Sequence, residues 1–304
     1  MILLCPLCKS SYISLIELID VNKLYIAYNK IYNIDFIFDT AVINYCKCES
    51  CKLFFFNPPA VGDGKFYEML QTNDWYYVKD KYEYSVALKY ISNKCSVLEV
   101  GSGAAFFAEY VGADRYVGLE FNDKAIARAK LNGITLLKEP IEFHAHFAQE
   151  MYDVVVSFQV LEHVLDPAAF IKGCLLALKP GGKLIVAVPS ADGCFSEAVN
   201  HLLDMPPHHL TRWTHEALVS IANIYGLTIK KIEYEPVAIY HLRMVSRIFW
   251  EKKLRKIALK KKLIFDYGPT ARLLGKIANA LAGIFPICPR NLKGHTVIAV
   301  YEKG

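Results

Sequence analysis

Val97-Leu-Glu-Val-Gly101-Ser-Gly103-Ala-Ala105 sets an apolar run of strand character directly before a glycine-rich turn, with helical sequence following. Such a junction is where an open α/β sheet receives a nucleotide-like ligand, because glycine allows backbone conformations and close approaches that a β-carbon obstructs. Outward from it, short strand-like runs at Ser96–Val100, Tyr116–Leu119, Ile134–Leu137, Asp153–Ser157 and Lys183–Val188 alternate with helical stretches at Ala105–Tyr110, Asp123–Leu131 and Pro167–Leu178. Parallel strands need a covering crossover, so this succession predicts an α/β fold with a doubly wound, mostly parallel sheet. Thr214 is placed to cap a helix running to Tyr225, with Gly226 as its stop. Leu227–Glu233 and Thr296–Tyr301 read as the last two strands. The segment 236–294 between them far exceeds a hairpin loop of about two to five residues and reads as a helical insert.

The turn also selects its ligand. A dinucleotide fingerprint needs glycine or alanine where Phe106 stands, which disfavours a nicotinamide cofactor. Glu99, at the end of the first strand, suits an ammonium or a hydroxyl better than a pyrophosphate. Glu120 ends the second strand 17 residues past Gly103, where an acid accepts ribose hydroxyl protons. S-adenosylmethionine offers an amine and a ribose and carries no phosphate.

Val97 to Ala105 resembles motif I of class I S-adenosylmethionine-dependent methyltransferases, Glu/Asp-x-Gly-x-Gly-x-Gly, with Ala105 in place of the last glycine. The resemblance continues through Tyr152-Asp-Val-Val-Val-Ser157-Phe-Gln159-Val-Leu-Glu162-His163-Val, similar to that family's fourth strand and following loop. Ala177-Leu-Lys-Pro-Gly181-Gly182-Lys-Leu is similar to its turn before the fifth strand. The resemblance covers roughly 96–189 and implies a Rossmann-like fold and S-adenosylmethionine as cofactor. It further implies that Glu99, Gly101, Ser102 and Gly103 surround the methionine part and that Glu120 holds the ribose. Phe121 would pack on the adenine, residues 139–141 would form the adenine-edge loop, and Phe158 and Gln159 would lie near the sulfonium. Core packing is the competing reading of both phenylalanines.

Five of nine cysteines fall within the first 51 residues. Cys5-Pro-Leu-Cys8 and Cys48-Glu-Ser-Cys51 are two CxxC pairs, each able to put two thiolates on one tetrahedral ion, so they predict a structural Zn2+ site. Cys46 is a spare that could replace Cys48. Lys9 and Lys52 resemble zinc-ribbon knuckle positions, and the segment ends in Phe54-Phe-Phe-Asn57-Pro58, similar to short zinc-binding segments that precede methyltransferase domains acting on sugars and related metabolites. Strand-like runs at Lys23–Tyr28 and Asp35–Val42 lie between the two pairs. The expected organisation is a zinc-ribbon-like module over 1–60, a helical pocket cover over 65–93, and a methyltransferase domain over 94–304.

Pro206-Pro207-His208-His209 follows the fifth strand and resembles a segment of methyltransferases in this broad group. Methyl transfer leaves the protein to align donor and acceptor and to manage the acceptor's proton, so His208 or His209, then His163, are the candidate bases. Arg212 is a candidate for an anionic acceptor group or a surface residue.

With 304 residues, 54% of them hydrophobic, the chain can bury a core, which excludes disorder as its main state. A net charge of +5 is too small to announce a nucleic-acid binder. The local charge is different: Arg243 to Lys262 holds nine basic residues against Glu251, interleaved with Ile248, Phe249, Leu254, Ile257 and Ala258. A second stripe follows at Leu273, Leu274, Ile277, Leu281 and Ile284. An exposed charged face is the commonest fate of such a run, peripheral membrane contact comes next, and RNA comes last. No secretory signal or membrane-spanning stretch is visible, so the expected location is cytoplasmic, with membrane association through the insert. The expected acceptor is a small or sugar-like metabolite, including a nucleotide- or lipid-linked glycan intermediate. RNA or protein methylation and a non-catalytic scaffold are the rivals.

Overall fold

The computed structural model describes residues 3–71, 79–259, 263–289 and 291–304. Lys260, Lys261 and Lys262 of the basic run and residues 72–78 of the 65–93 segment lie outside the described residues.

The chain runs through β1 (Ile13–Asp20), α1 (Val21–Tyr32), β2 (Val42–Cys48), β3 (Phe54–Asn57), α2 (Gly64–Gln71) and α3 (Tyr82–Ala87) before reaching β4 (Val97–Val100). Then come α4 (Ala108–Val111), β5 (Tyr116–Leu119), α5 (Asp123–Leu131), β6 (Thr135–Leu137), α6 (Ile141–Phe147), β7 (Tyr152–Phe158), α7 (Pro167–Ala177) and β8 (Leu178–Pro189). The remainder is β9 (Thr211–Arg212), α8 (His215–Tyr225), β10 (Thr228–Tyr234), α9 (Leu242–Ala258), α10 (Pro269–Ile284) and β11 (Thr296–Glu302).

Seven strands form one sheet in the order β10-β11-β8-β7-β4-β5-β6. β8, β7, β4, β5 and β6 are mutually parallel, while β11 runs antiparallel to β8 and to β10. This is the doubly wound, mostly parallel sheet that the succession of runs predicts. β4 and β7 are its central strands, in register Val97↔Val154 to Glu99↔Val156. Every residue of β4 is buried, as expected of a parallel strand covered on both faces. The order reverses between β4 and β7, and it is beyond the carboxyl ends of the strands at such a point that open α/β sheets take their ligands. Phe107, Val111 and Tyr84 pack one face, and Ile171, Leu218 and Trp213 pack the other. Burial of each such side chain contributes about 1.5–3 kcal/mol.

The caps of α8 follow the sequence: Thr214 Oγ1 accepts the Ala217 N–H, and Gly226 closes the helix at φ 66°. Three local readings need correction. Lys23–Tyr28 lies in α1, not in a strand. Asp20 caps that helix through the Lys23 N–H, and Leu24, Ala27 and Tyr28 are buried at helical spacing. Asp35–Val42 is irregular until β2 begins at its last residue. The helix expected from Ala105 starts at Ala108, because Ala105 adopts φ 56°.

The amino-terminal segment does not sit apart. β1, β2, β3 and β9 form a four-stranded antiparallel sheet, so the last strand comes from residues far along the chain, pairing Phe54↔Arg212 and Phe55↔Thr211. Cys5, Leu53 and Phe55 share one apolar core with Val186 and Trp213. The 236–294 insert folds as α9 and α10, packed against each other. Among the described residues, no helix is long and apolar enough to cross a membrane.

Candidate active site

The loop after β4 is built around left-handed residues. Gly101, Gly103 and Ala105 have φ of 77°, 52° and 56°. A β-carbon on Gly101 would lie 2.4 Å from Val160 Cγ2, so that position needs glycine for space as well as conformation. The Gly101 and Ser102 N–H groups both donate to the Leu119 carbonyl, which ties the loop to the end of β5. Glu120 then clasps it: its Oε2 accepts the Gly103 N–H at 2.7 Å, and its Oε1 accepts the N–H groups of Phe121 and Asn122 at 2.8 Å. The carboxylate of Glu120 is thereby fixed beside the loop at the end of β5. Phe121 next to it is 61% exposed at the rim.

Glu99 is buried below the loop and accepts a hydrogen bond from the Tyr116 hydroxyl. Burial pushes its carboxyl up to about 8, against the pull of Tyr116 and Lys81. Glu162 is buried too, and its carboxyl is raised to about 8 by the same cause. Lys81 lies near enough to both acids to lower each. Both acids are largely protonated before a ligand binds and the loop itself carries no Lys or Arg, so a phosphate finds no positive charge on the loop, whereas a cationic ligand draws the acids into their charged form.

Phe158 is buried against Tyr84 and Phe107, with both ring centroids at 5.1 Å, so its side chain serves the core. Gln159 adopts φ 58°, and its amide donates to Glu83 Oε1 at 3.4 Å and Thr296 Oγ1 at 3.3 Å. Glu139, in the predicted adenine-edge loop, bonds His144 Nδ1 at 2.7 Å.

The three candidate histidines come together. His163, after β7, has ring centroids 4.7 Å from His208 and 4.9 Å from His209, and the latter two stack at 4.5 Å. Burial holds all three neutral, with His163 pushed down to about 3 and His208 well below the usual imidazole range. Asp204 Oδ1 takes a hydrogen bond from His209 Nδ1 at 3.1 Å. Burial opposes the charge on Asp204, yet Arg212 and the histidines at 201 and 209 hold its carboxyl well below the usual carboxylate range. Arg212 is buried, spent on Asp204 Oδ2 at 2.9 Å and on the Tyr45 hydroxyl at 3.0 Å, so it is not a surface residue. Glu83, Glu162 and Asp204 were not singled out from sequence. Glu162 stood inside a quoted motif, whereas Glu83 and Asp204 carry no local signal.

The cysteines of both CxxC pairs meet across 40 residues or more: Cys5 Sγ lies 3.5 Å from Cys51 Sγ, and Cys8 Sγ lies 3.5 Å from Cys48 Sγ. All four sulfurs lie within 4.8 Å of one another. A tetrahedral ion with Zn–S bonds of about 2.3 Å needs sulfurs about 3.8 Å apart, so the set fits zinc. Lys9 and Lys52 turn each loop with φ 58° and 62°, and their N–H groups donate to the carbonyls of Cys5 and Cys48. Cys46 falls outside the set, its Sγ 3.8 Å from the Asn44 carbonyl.

A family model described as a methyltransferase domain matches residues 71–232, more than half of the chain. The chain belongs to the methyltransferase domain family. Its class I fold is shared with a SAM-dependent methyltransferase from Archaeoglobus fulgidus, which superimposes with a TM-score of 0.51 at 16% identity over 78% of this chain and 100% of that one. A probable S-adenosylmethionine-dependent methyltransferase of Mycolicibacterium smegmatis is 28% identical over 144 residues, 43% of this chain and 52% of that protein. A ubiquinone biosynthesis O-methyltransferase of Vibrio vulnificus is 36% identical over 94 residues, 28% of this chain and 40% of that protein. The chain thus spans about half or less of the length of these curated relatives.

Proposed function

We propose that this methyltransferase-family chain transfers a methyl group from S-adenosylmethionine to a hydroxyl of a small or sugar-like metabolite. One observation carries the reading: the glycine loop sits between two carboxyls, Glu99 and Glu120, at the point where strand order reverses. A buried acid answers the donor's ammonium, and an acid fixed at the end of β5 answers its ribose. Glycine at 101 lets the backbone come close, and a cationic sulfonium is welcome in a crevice rich in buried carboxyls. When bound, the donor supplies an activated methyl group open to direct displacement. The protein aligns the acceptor and disposes of its proton, a task that falls to the neutral imidazoles of His163, His208 and His209 beyond the ends of β7 and β8. The curated relatives that are O-methyltransferases favour oxygen as the accepting atom.

The four amino-terminal thiols are inferred to hold a structural zinc ion, with no open position for chemistry. The insert supports contact with an anionic membrane surface: Leu273, Ile277 and Ile284 are exposed along α10, beside exposed Arg272 and Lys276. That contact would suit a lipid-linked acceptor. Incubation with methyl-labelled donor and fractionated metabolites tests the main reading. Label is expected in a hydroxyl-bearing small molecule; label confined to RNA or protein would overturn the acceptor class.

A further inference from the structure

We propose that Glu162 is the base of the methyl transfer: the acceptor's hydroxyl lies against its carboxyl and gives up its proton there, beside the neutral rings of His163 and His209. The inference rests on the methyl-transfer reading and narrows the proton's destination to one side chain. Its ground is a set of hydrogen-bond acceptors gathered around one point. His163 Nδ1 lies 2.5 Å from the His208 carbonyl, and His209 Nδ1 lies 3.1 Å from Asp204 Oδ1. A carbonyl and an ionised carboxylate only accept, so each Nδ1 carries the hydrogen and each Nε2 keeps its lone pair. Both of these nitrogens stand by the same oxygen: Glu162 Oε1 is 3.8 Å from His163 Nε2 and 3.9 Å from His209 Nε2.

Glu162 is buried, and its Oε2 has no hydrogen-bond partner among the described residues, an arrangement that is costly for a carboxylate. The protonated acid fits better, because its O–H finds an imidazole acceptor after a small closing of the gap. Burial raises the carboxyl most; Asp204 and Glu83 raise it further, while Lys81 and the backbone N–H of Glu162 itself lower it. Tyr67 of α2 and the two imidazoles also face it, all uncharged near neutral pH. A carboxyl at about 8 changes charge close to neutrality, whereas the His163 ring, pushed down to about 3, is too weak a base to keep a proton there. Lys81 lowers Glu99 as well, which sets Glu162 on the same side as the carboxyl assigned to the donor's amine. The His163 side chain is 20% exposed and gives an acceptor its approach.

In the step, the acceptor's O–H breaks and its proton passes to a Glu162 oxygen. An oxygen lone pair forms the O–C bond, and the C–S bond breaks with its electron pair left on sulfur. The products are a methyl ether, a thioether and protonated Glu162, whose O–H rests on an imidazole Nε2 until solvent takes the proton. The two rings thus serve the proton transfer without gaining charge. Several acceptors around one point call for more than one donor, so a pair of neighbouring hydroxyls, as on a sugar or another polyol, fits better than an isolated one.

Label transfer by the full chain to the small-molecule fraction of a cell extract tests the role, with S-adenosylmethionine saturating at every pH so that the Glu99 dependence of binding drops out. The wild-type rate should rise with pH, about tenfold per unit below its plateau, and the plateau should come no higher than about pH 8, since a bound sulfonium moves it only downward. Glu162→Gln keeps the shape and still offers the imidazoles a donor. It should bind S-adenosylmethionine within about twofold of wild type by calorimetry and lose at least about a hundredfold in rate, with no pH slope in what remains. Glu162→Asp should restore part of the rate together with the slope. A Glu162→Gln rate within about threefold of wild type, or a residual rate that keeps the wild-type slope, would overturn the assignment and leave methyl transfer standing. Wild-type chain that binds the donor yet labels nothing would overturn the methyl-transfer reading and the base with it.

Discussion

Donor binding should be coupled to proton release at Glu99. Burial lifts its carboxyl to about 8 in the ligand-free chain, whereas an ammonium placed against it favours the charged form. If only the carboxylate receives the amine, affinity scales with the ionised fraction: roughly 1% at pH 6 and roughly 9% at pH 7. The dissociation constant should therefore fall about tenfold over that unit, equal to about 1.4 kcal/mol, and about 0.9 proton should leave per donor bound at pH 7. The window matters, because an α-amino group loses its own proton near pH 8 and would flatten the profile above it. The sign for folding is opposite. A carboxyl whose folded value is raised contributes stability that is full below the unfolded value and is lost as pH climbs through about 8, so the ligand-free chain should weaken over that range. Calorimetry in two buffers of different ionisation enthalpy measures the proton count directly. Glu99→Gln should remove both the release and the pH slope, while Glu162→Gln, which alters the other raised carboxyl, should leave most of the release in place. Equal proton release in wild type and Glu99→Gln would refute the assignment.

Other perturbations follow from single contacts. Gly101→Ala meets Val160 Cγ2 at 2.4 Å and holds an L-residue at φ 77°, so it should cost about 2–3 kcal/mol by urea unfolding, and adding Val160→Ala should recover the steric part only. Asp204→Ala strands buried Arg212 and should cost about 3–5 kcal/mol; a loss under about 1 kcal/mol would show that the pair does not hold the loop. Cys8→Ser should remove one zinc ion and destabilise the whole domain in one transition, because Cys5, Leu53 and Phe55 share a core with Val186 and Trp213; a separate early melting step would contradict that shared core.

Much of this architecture could be read locally. The glycine turn, the parallel strands and the Thr214 and Gly226 caps depend on neighbours within a few residues, and they stand where the sequence puts them. Lys23–Tyr28 misled because its apolar residues fit either periodicity over so short a span, and the Asp20 cap decides for a helix. α6 was missed because only two or so turns form, held by packing of Ile141 and Ala145 against the core. The pairing of β3 with Thr211–Arg212 joins positions about 155 apart, which no local pattern encodes. The same is true of the site. Glu99, Glu120 and the cysteine pairs announced themselves by motif, whereas the burial of Arg212 and the meeting of Glu162, Asp204 and the histidines exist only in three dimensions.

The central claim is that two carboxyls flanking one glycine turn hold an adenosyl amino acid. A crystal structure of the chain soaked with S-adenosylmethionine tests it most directly. The ribose hydroxyls should lie on Glu120 and the amine within hydrogen-bond reach of Glu99, with the methyl group directed toward the imidazoles of His163, His208 and His209. Donor bound elsewhere, or bound with its ribose turned away from Glu120, would contradict it.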